Sequence, residues 1–464
     1  MKHAVLKKAH PLFTQQVDAP AIPVEKEEYL FRLDMLRRRM ADDGMDVTVV
    51  YGDREHFGNI SYLSGYDCRF EESLLIVPRE GVPTILVGNE GMAYAMKIPY
   101  EIRRVFYRHF SLQGQPRKVE EKLPQLLQAA GVSGKVGLCG LKYWDAAYCD
   151  GDPDTVFDVP AYIVDAIRGV SDTVVNYTAV FTGLDGGMRL RVWSAKEIAR
   201  AEAAACRSAN VVLNMLEALR PGVDAYEVSR RSLCGFEPVT MYPLVNFGPQ
   251  AVSYGVDSPV AGKKLQVGDP CGLCYGIRGS LTSRVGVAAY DEASMGAYRP
   301  YLFNFYGKFF EAMCNWYSKL RVGADGHTLH RAVHDLIGGE EYHVALNAGH
   351  YTCDGEEWTN ALSYEGSRHT LPDGAYLQVD IIASNPDPVR TAICEDTAIV
   401  AGPELRAQLE KEYPRVYRRI MERRRVMQEV LGISLEQDVL PLSNLNGAMF
   451  PFLLNLDTVF ALQD

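Results

Sequence analysis

One stretch of the chain, residues 191–227, reads RVWSAKEIARAEAAACRSANVVLNMLEALRPGVDAYE and marks a change in the character of the sequence. Its alanine-rich part predicts a long helix. Ser194 followed three residues later by Glu197 is the capping-box pattern of a helix start. Pro221-Gly222 then breaks the helix, and a second helix is expected beyond the break.

A later stretch repeats this pattern in degenerate form. Residues 220–233 read RPGVDAYEVSRRSL, and residues 321–339 read RVGADGHTLHRAVHDLIGG. Each has an Arg-x-Gly turn, then an acidic residue, then a helix. The pair predicts an internal duplication within the second half of the chain.

Composition excludes several classes of protein. The chain has 464 residues, 47% hydrophobic and 23% charged, with a formal net charge of −11. These values exclude a disordered or collagen-like chain. An acidic balance argues against a nucleic-acid or anionic-membrane partner. We read neither a signal peptide nor an apolar run of about 20 residues, so the ten cysteines are expected to be reduced in a cytoplasm.

The first part of the chain alternates helices and strands. Residues 26–44 predict an amphipathic helix closed by Gly44, and residues 45–52 predict a buried strand. Residues 72–78 and 84–88 predict a hairpin-like pair of strands around a Gly-Val-Pro turn. The predicted fold class is α/β (α+β). We place a first domain at 1–187 and a second at 188–464, which ends in one charged helix whose arginines are expected to be solvated.

Several weak motifs in a consistent order resemble one superfamily. They are Ser194-x-x-Glu197-Ile198, Leu219-Arg-Pro-Gly222, Leu265-x-x-Gly268-Asp269, Asn347-Ala-Gly-His350, Leu371-Pro-Asp-Gly374 and Glu395-Asp396-Thr397. This order resembles the pita-bread catalytic domain of creatinase, prolidase, aminopeptidase P and methionine aminopeptidase, with its pseudo-twofold repeat. Residues 59–66, NISYLSGY, resemble the creatinase/prolidase N-terminal domain. The resemblance covers nearly the whole chain.

The resemblance implies a metal site, from which this sequence departs. Metallopeptidases of the superfamily hold two divalent ions with two Asp, one His and two Glu. The corresponding positions here are Cys274, Leu281 (or Ser283 in a shifted register), His350, Asp380 and Glu395. Because both Asp ligands are lost, we expect no two-metal site and assign no metal and no cofactor. A single ion held by His350, Asp380, Glu395 and Cys274 is the alternative.

Creatinase implies a different chemistry, because it shares the fold but works without metal ligands. Its two catalytic histidines fall at Asp257 and Glu357 in this sequence. The resemblance therefore predicts a catalytic pocket of His350, Asp257, Glu357, Asp380 and Glu395. Four carboxylates around one imidazole raise at least one carboxyl pKa, which offers a general acid and a general base together.

The same pocket suits a cationic substrate. Trp358 and Tyr254 are expected to add cation–π contacts, and Cys274 lies at the former ligand position as a substrate contact or a nucleophile. Arg69 matches a carboxylate clamp that, in creatinase, reaches the neighbouring subunit's pocket. The resemblance thus also implies a homodimer.

These observations predict a metal-independent, creatinase-like hydrolase that cleaves a C–N bond in a small cationic amino-acid-like compound. One alternative is an Xaa-Pro metallopeptidase with an atypical metal site. The other is a non-catalytic pita-bread binding protein.

Overall fold

A computed structural model describes residues 2–68, 70–115, 121–232, 238–249 and 256–464. Within them the α-helices are α1 (Lys26–Asp42), α2 (Gly58–Ser64), α3 (Gly91–Ala95), α4 (Leu123–Ala129), α5 (Ala161–Arg168), α6 (Ala179–Thr182), α7 (Ala195–Glu217), α8 (Ala225–Ser229), α9 (Lys308–Tyr317), α10 (Gly326–Ile337), α11 (Pro403–Glu412) and α12 (Pro414–Glu429). The strands are β1 (His3–Lys8), β2 (Val47–Gly52), β3 (Ser73–Pro78), β4 (Thr84–Val87), β5 (Arg103–Phe106), β6 (Lys135–Cys139), β7 (Thr173–Asn176), β8 (Val239–Phe247), β9 (Pro270–Ile277), β10 (Ser280–Val287), β11 (His350–Tyr351), β12 (Ala375–Gln378), β13 (Ala383–Pro386), β14 (Val389–Glu395), β15 (Thr397–Val400), β16 (Val439–Pro441) and β17 (Thr458–Gln463). No helix in the described part of the chain is long and apolar enough to cross a membrane.

The N-terminal unit, Pro23–Arg189, is built on a six-stranded mixed sheet in the order β5-β4-β3-β2-β6-β7. Successive residues of a strand face opposite sides. Val49 of β2 therefore joins a core cluster with α4 and α5, and Val50 joins another with α1 and α2. The predicted hairpin is present, since β3 and β4 pair antiparallel. The sheet is covered on both faces, which explains why its strands are almost wholly apolar.

An ion-paired network closes one end of this unit. His56 Nδ1 lies 3.0 Å from Asp53 Oδ1, and His56 Nε2 lies 3.6 Å from Asp158 Oδ2. Hydrogen bonds to Asp158 and Asp53 raise the pKa of His56 to about 10. Burial alone would raise the pKa of Asp53, but its bonds from His56 lower that pKa below its usual range.

These shifts predict a pH-dependent contribution to stability. A histidine whose folded pKa is raised stabilises the fold fully below its unfolded pKa of about 6.5, and that contribution is lost as pH rises towards about 10. We expect His56→Gln to lower the free energy of unfolding by about 1 kcal/mol near pH 6 and by almost nothing at pH 10. Urea unfolding of variant and wild type at both pH values measures the difference, with His109→Gln as control. An equal loss at both pH values would contradict the assignment.

The C-terminal unit contains residues 2–22 as well as Leu190–Asp464. It has a five-stranded sheet, β13-β14-β10-β9-β8, a four-stranded sheet, β11-β12-β15-β16, and the pair β1-β17. The predicted first domain, 1–187, includes residues 1–22. The structure places β1 against β17 at the far end of the chain, a pairing that no local pattern reports.

The internal duplication is visible in the backbone. In the first copy, Gly222 N donates to Leu265 O and Leu265 N donates to Val223 O. In the second copy, Gly323 N donates to Leu371 O and Leu371 N donates to Ala324 O. The helix that follows is capped in both copies by an aspartate, Asp224 for α8 and Asp325 for α10. In both copies, therefore, the Arg-x-Gly turn bonds to a distant backbone segment and leads into a helix capped by aspartate.

The C-terminal helix differs from its prediction. Pro414 lacks a backbone N–H, and the chain divides there into α11 and α12. The expectation of solvated arginines is wrong for Arg423 and Arg424, which are buried. Arg423 pairs at 2.8 Å with Glu202 of α7, whose own burial is complete. A charged helix face is buried here because its partner charge lies on a distant helix.

Candidate functional site

His350 is held in one orientation by its neighbours. Gly349 precedes it with φ of +78°, and a Cβ there would collide with the ring of Trp316, so only glycine fits. His350 Nδ1 lies 3.1 Å from the backbone carbonyl of Tyr351. Because a carbonyl only accepts, Nδ1 carries the proton. The lone pair of the neutral ring is therefore on Nε2, which faces the carboxylates.

Three carboxylates converge on His350 Nε2. Glu357 Oε1 lies at 3.0 Å, Asp380 Oδ2 at 3.8 Å and Glu395 Oε1 at 3.9 Å. Glu357 lies in the loop after β11, Asp380 follows β12, and Glu395 ends β14. His350 pairs across the sheet with Gln378, two residues before Asp380, which brings the second carboxylate to the imidazole.

The cluster is buried, and several of its polar atoms lack hydrogen-bond partners among the described residues. His350, Asp380 and Glu395 are each less than 10% exposed. Within the described residues, three of their polar atoms, His350 Nε2, Asp380 Oδ1 and Glu395 Oε1, have no hydrogen-bond partner. Buried polar atoms without partners are strongly unfavourable. A proton, an ordered water molecule, a cation or a polar substrate would each complete this cluster.

Burial and neighbouring charges shift the pKa values of His350, Asp380 and Glu395. Burial raises the pKa of Asp380 to about 6 and raises that of Glu395 well above its usual range. Burial alone would lower the pKa of His350, but the adjacent Glu357 and Asp380 raise it overall. The cluster therefore retains protons near neutral pH unless a cation replaces them.

Trp358 forms one wall of the site. Its ring is stacked on the imidazole of His350, with centroids 4.0 Å apart and planes at 22°. The indole is 39% exposed. It therefore fixes the plane of the imidazole and still offers aromatic surface to a ligand.

Cys274 and Leu281 form an apolar wall. Cys274 of β9 is opposite Ser283 of β10, which is itself opposite Glu395 of β14. Leu281, two residues from Ser283, faces the same side and packs with Cys274 and Leu244. Burial, reinforced by the charges of Glu395 and Glu357, raises the pKa of the Cys274 thiol far above its usual range, so the thiol stays neutral. A neutral thiol is a poor nucleophile.

Asp257 directs its carboxylate to the neighbouring backbone. It is exposed, and its carboxylate accepts a hydrogen bond from the Ser258 backbone N–H at 2.6 Å. Among the described residues, no hydrogen bond or ion pair joins it to His350. Its predicted catalytic role therefore stays a prediction, which these contacts do not support. Arg69 and Tyr254 lie outside the described residues, and their predicted roles stay predictions.

A buried ion pair, Arg284 with Asp396, supports the site and was not among the residues predicted from the sequence. Arg284 Nη2 lies 2.9 Å from Asp396 Oδ2, and both side chains are almost completely buried. The Arg284 guanidinium also donates to the backbone carbonyls of Ser283 and Glu395. It thereby ties the end of β14, which carries Glu395, to β10. The motif Glu395-Asp396-Thr397 is the signal that could have found it.

Three residues of the cluster lie close enough together to be considered as ligands of one metal ion. Ligand atoms of His350, Glu357 and Glu395 all lie within 4.8 Å of one another. Bonds of about 2.0–2.3 Å put two ligands of one ion roughly 3–4.5 Å apart, so these residues fit a single ion. The set differs from the single-ion alternative drawn from the sequence, because Glu357 is in it and Asp380 and Cys274 are not. A second ion does not fit, since Cys274 and Leu281 offer a neutral thiol and a hydrocarbon.

Comparison with known proteins agrees with this architecture. Residues 32–143 match the family model described as the creatinase/prolidase N-terminal domain. The prolidase of Pyrococcus horikoshii is 15% identical with a TM-score of 0.60, covering 80% of this chain and 95% of that one. The Xaa-Pro dipeptidase of Bacillus anthracis is 16% identical with a TM-score of 0.60, covering 81% and 96%. A dipeptidase of Mycobacterium ulcerans is 17% identical with a TM-score of 0.59, covering 82% and 95%.

Among curated protein sequences, no relative matches the chain. The predicted mixed α/β fold class and the predicted resemblance are both confirmed by the family model and the structural neighbours. Residues 32–143 thus form a creatinase/prolidase N-terminal domain, and over most of its length the chain has the same fold as the solved prolidases and dipeptidases.

Proposed function

We propose that this protein is a hydrolase that cleaves a C–N bond in a small peptide-like substrate, in the manner of an Xaa-Pro dipeptidase with one metal ion. The convergence of His350 Nε2, Glu357 and Glu395 around unpartnered buried atoms carries the proposal. The structural neighbours named prolidase and Xaa-Pro dipeptidase support the reaction class. This is the sequence alternative of an atypical metal site, preferred here to the metal-independent hydrolase.

In this proposal a divalent ion is held by His350 Nε2, Glu357 and Glu395. When bound, such an ion lowers the pKa of a water ligand and polarises a carbonyl. Asp380 stands 3.8 Å from His350 with a pKa raised to about 6, which suits it to take and return a proton near neutral pH. Trp358 holds the plane of the His350 ring. The wall of Leu244, Cys274 and Leu281 gives the substrate an apolar surface beside these groups.

The metal-independent, creatinase-like hydrolase remains a second candidate. The observation that favours it is that Cys274 and Leu281, the residues at the positions that the resemblance assigns to two Asp ligands, pack together as an apolar wall. In that reading the carboxylates around His350 bind a cationic group of the substrate directly. The protons retained by Asp380 and Glu395 then serve as general acids.

Metal content separates the two candidates. We expect purified wild-type protein to contain about one equivalent of a divalent ion by elemental mass spectrometry. Glu357→Gln is expected to reduce the content at least about tenfold, because a neutral amide replaces a carboxylate ligand. The adjacent Glu356→Gln is the matched control and should retain the ion. Two equivalents in the wild type, or none, would contradict the single-ion site, and none would favour the creatinase-like reading.

The predicted homodimer, with an N-terminal domain contributing to the neighbouring site, and the predicted cytoplasmic location stay predictions. The molar mass in solution measured by light scattering tests the first. Arg69→Ala tests the clamp, since its loss should raise KM more than it lowers kcat.

A further inference from the structure

The loop that follows β11, residues 352–359, carries two groups of the candidate site. One is Glu357, whose Oε1 lies 3.0 Å from His350 Nε2, and the other is Trp358, whose ring stacks on the same imidazole. Neither residue lies in a helix or a strand. A side chain on a loop keeps a fixed position only where contacts hold the loop. The contacts of this loop with the rest of the unit therefore control the geometry of the site.

Backbone hydrogen bonds define the shape of the loop. At its base, Tyr351 N donates to Asn360 O at 2.7 Å. At its tip, residues 353–356, Cys353 N donates to Glu356 O at 3.2 Å. This second bond joins the part of the loop that leaves β11 to the part that returns with the two site residues. A displacement of the tip is therefore passed on to those residues.

Arg200 of α7 holds the tip of the loop. Its Nη1 lies 3.2 Å from Asp354 Oδ2, and its Nε donates at 3.0 Å to the carbonyl of Ile22, in the N-terminal segment of the same unit. The Arg200 side chain is 10% exposed and that of Asp354 is 30% exposed. An ion pair shielded to this degree is stronger and better ordered than one on the open surface. The guanidinium thus ties the loop to a long helix.

The turn between β9 and β10 lies on the other side of the same aspartate. A Cβ at Gly279 would be 3.6 Å from Asp354 Oδ1 and 3.2 Å from the Cβ of Ala204 on α7. The buried Tyr376 hydroxyl donates to the carbonyl of Gly279 and holds this turn. The two carboxylate oxygens of Asp354 therefore face α7 and the hairpin whose strands form the apolar wall of the site.

We propose that Arg200 is a positioning residue for the candidate site and that it acts through its ion pair with Asp354. The pair fixes the tip of the loop, and the fixed loop places Glu357 against His350 and Trp358 over the same ring. The effect on ion binding and turnover rests on the proposed function, whereas the placement of the loop can be measured without either.

Fluorine NMR of the whole chain labelled with 5-fluorotryptophan tests the placement of the loop. The chain has four tryptophans, and Trp358→Phe assigns the signal of Trp358. Arg200→Met is expected to displace or broaden that signal, because a loosened loop changes the stacking on His350. Arg331→Met, which removes an exposed ion pair on α10, is the matched control and should leave the signal in place. An unchanged Trp358 signal in Arg200→Met would contradict the proposal.

Titration of the chelator-treated chain with Mn²⁺, followed by calorimetry, tests the effect on the site. Arg200→Met and Asp354→Ala are each expected to weaken the affinity about tenfold or more, as the loss of a contact behind a metal ligand does. The double variant should be no weaker than either single variant, because both remove the same pair. In turnover of an Xaa-Pro dipeptide, kcat should fall more than KM rises, since the loop positions rather than binds substrate.

The two measurements separate this proposal from the proposed function. Asp354→Ala keeps the bond between Arg200 and Ile22, and it replaces Arg200→Met in both measurements if that variant fails to fold. Unchanged Mn²⁺ affinity in both single variants, or fully additive losses in the double variant, would overturn the positioning role. A wild-type chain that neither binds Mn²⁺ nor turns over a dipeptide would refute the proposed function instead, and the Trp358 signal then decides by itself whether Arg200 fixes the loop.

Discussion

Replacing His350 by alanine is expected to lower kcat/KM for a dipeptide of the Xaa-Pro type by about a thousandfold or more. His350 Nε2 is the lone-pair nitrogen at the centre of Glu357, Asp380 and Glu395, within 3.0 to 3.9 Å of each. Its removal takes away the neutral nitrogen ligand of the proposed ion and leaves only carboxylates to hold that ion. Steady-state kinetics on a panel of Xaa-Pro dipeptides measures the effect.

The control for this variant is His330→Ala. His330 lies on α10, where its ring stacks on His334 at a centroid distance of 3.9 Å, outside the candidate site. It should leave kcat/KM within about twofold of wild type. Unchanged turnover in His350→Ala would refute the catalytic role. Absence of turnover in the wild type, on Xaa-Pro dipeptides and on guanidino compounds alike, would favour the non-catalytic binding protein.

Replacing Arg284 by methionine is expected to lower the free energy of unfolding by about 3–5 kcal/mol. Arg284 and Asp396 are 1% and 0% exposed, and the variant leaves the Asp396 carboxylate buried without its partner. The guanidinium also donates to the backbone carbonyls of Ser283, Glu395, Ala448 and Leu445, so four acceptors lose a donor at the same time. Equilibrium urea unfolding provides the measurement.

A surface ion pair is the matched control. Arg299 and Glu292 lie 3.0 Å apart but are 63% and 48% exposed, so Arg299→Met should change stability by less than about 1 kcal/mol. The double variant Arg284→Met with Asp396→Leu should recover part of the loss, because no uncompensated charge is left in the interior. A loss in Arg284→Met no larger than in Arg299→Met would show that the buried pair does not hold β10 to β14.

Local patterns in the sequence were sufficient for much of the architecture. Three features depend on residues close together in the chain: helix α1 of residues 26–42, the hairpin of β3 and β4, and the paired Arg-x-Gly turns. Such features follow from side-chain periodicity and turn chemistry, which are local properties. The order of motifs on which the resemblance rests is still readable in the sequence, although identity to the three solved structures named above is only 15–17%.

The candidate site was only partly accessible from the sequence. His350, Glu357, Asp380 and Glu395 were named from motif position, and the structure brings these four together. Asp257 was named by the same spacing argument, yet its carboxylate turns to the Ser258 backbone instead. Spacing counts residues along the chain, whereas the direction of a side chain at a turn depends on backbone dihedral angles that spacing does not contain.

By itself, then, the sequence determined many of the helices and strands, the duplication and the resemblance that predicts the fold. The tertiary structure decided which side chains lie next to one another. It set Cys274 and Leu281 on one apolar wall, buried Arg423 against Glu202, and left His350 Nε2 and Glu395 Oε1 without partners. Each of these outcomes joins residues far apart in the chain. Burial and proton affinity arise from that packing, because they depend on which atoms exclude water from which charges.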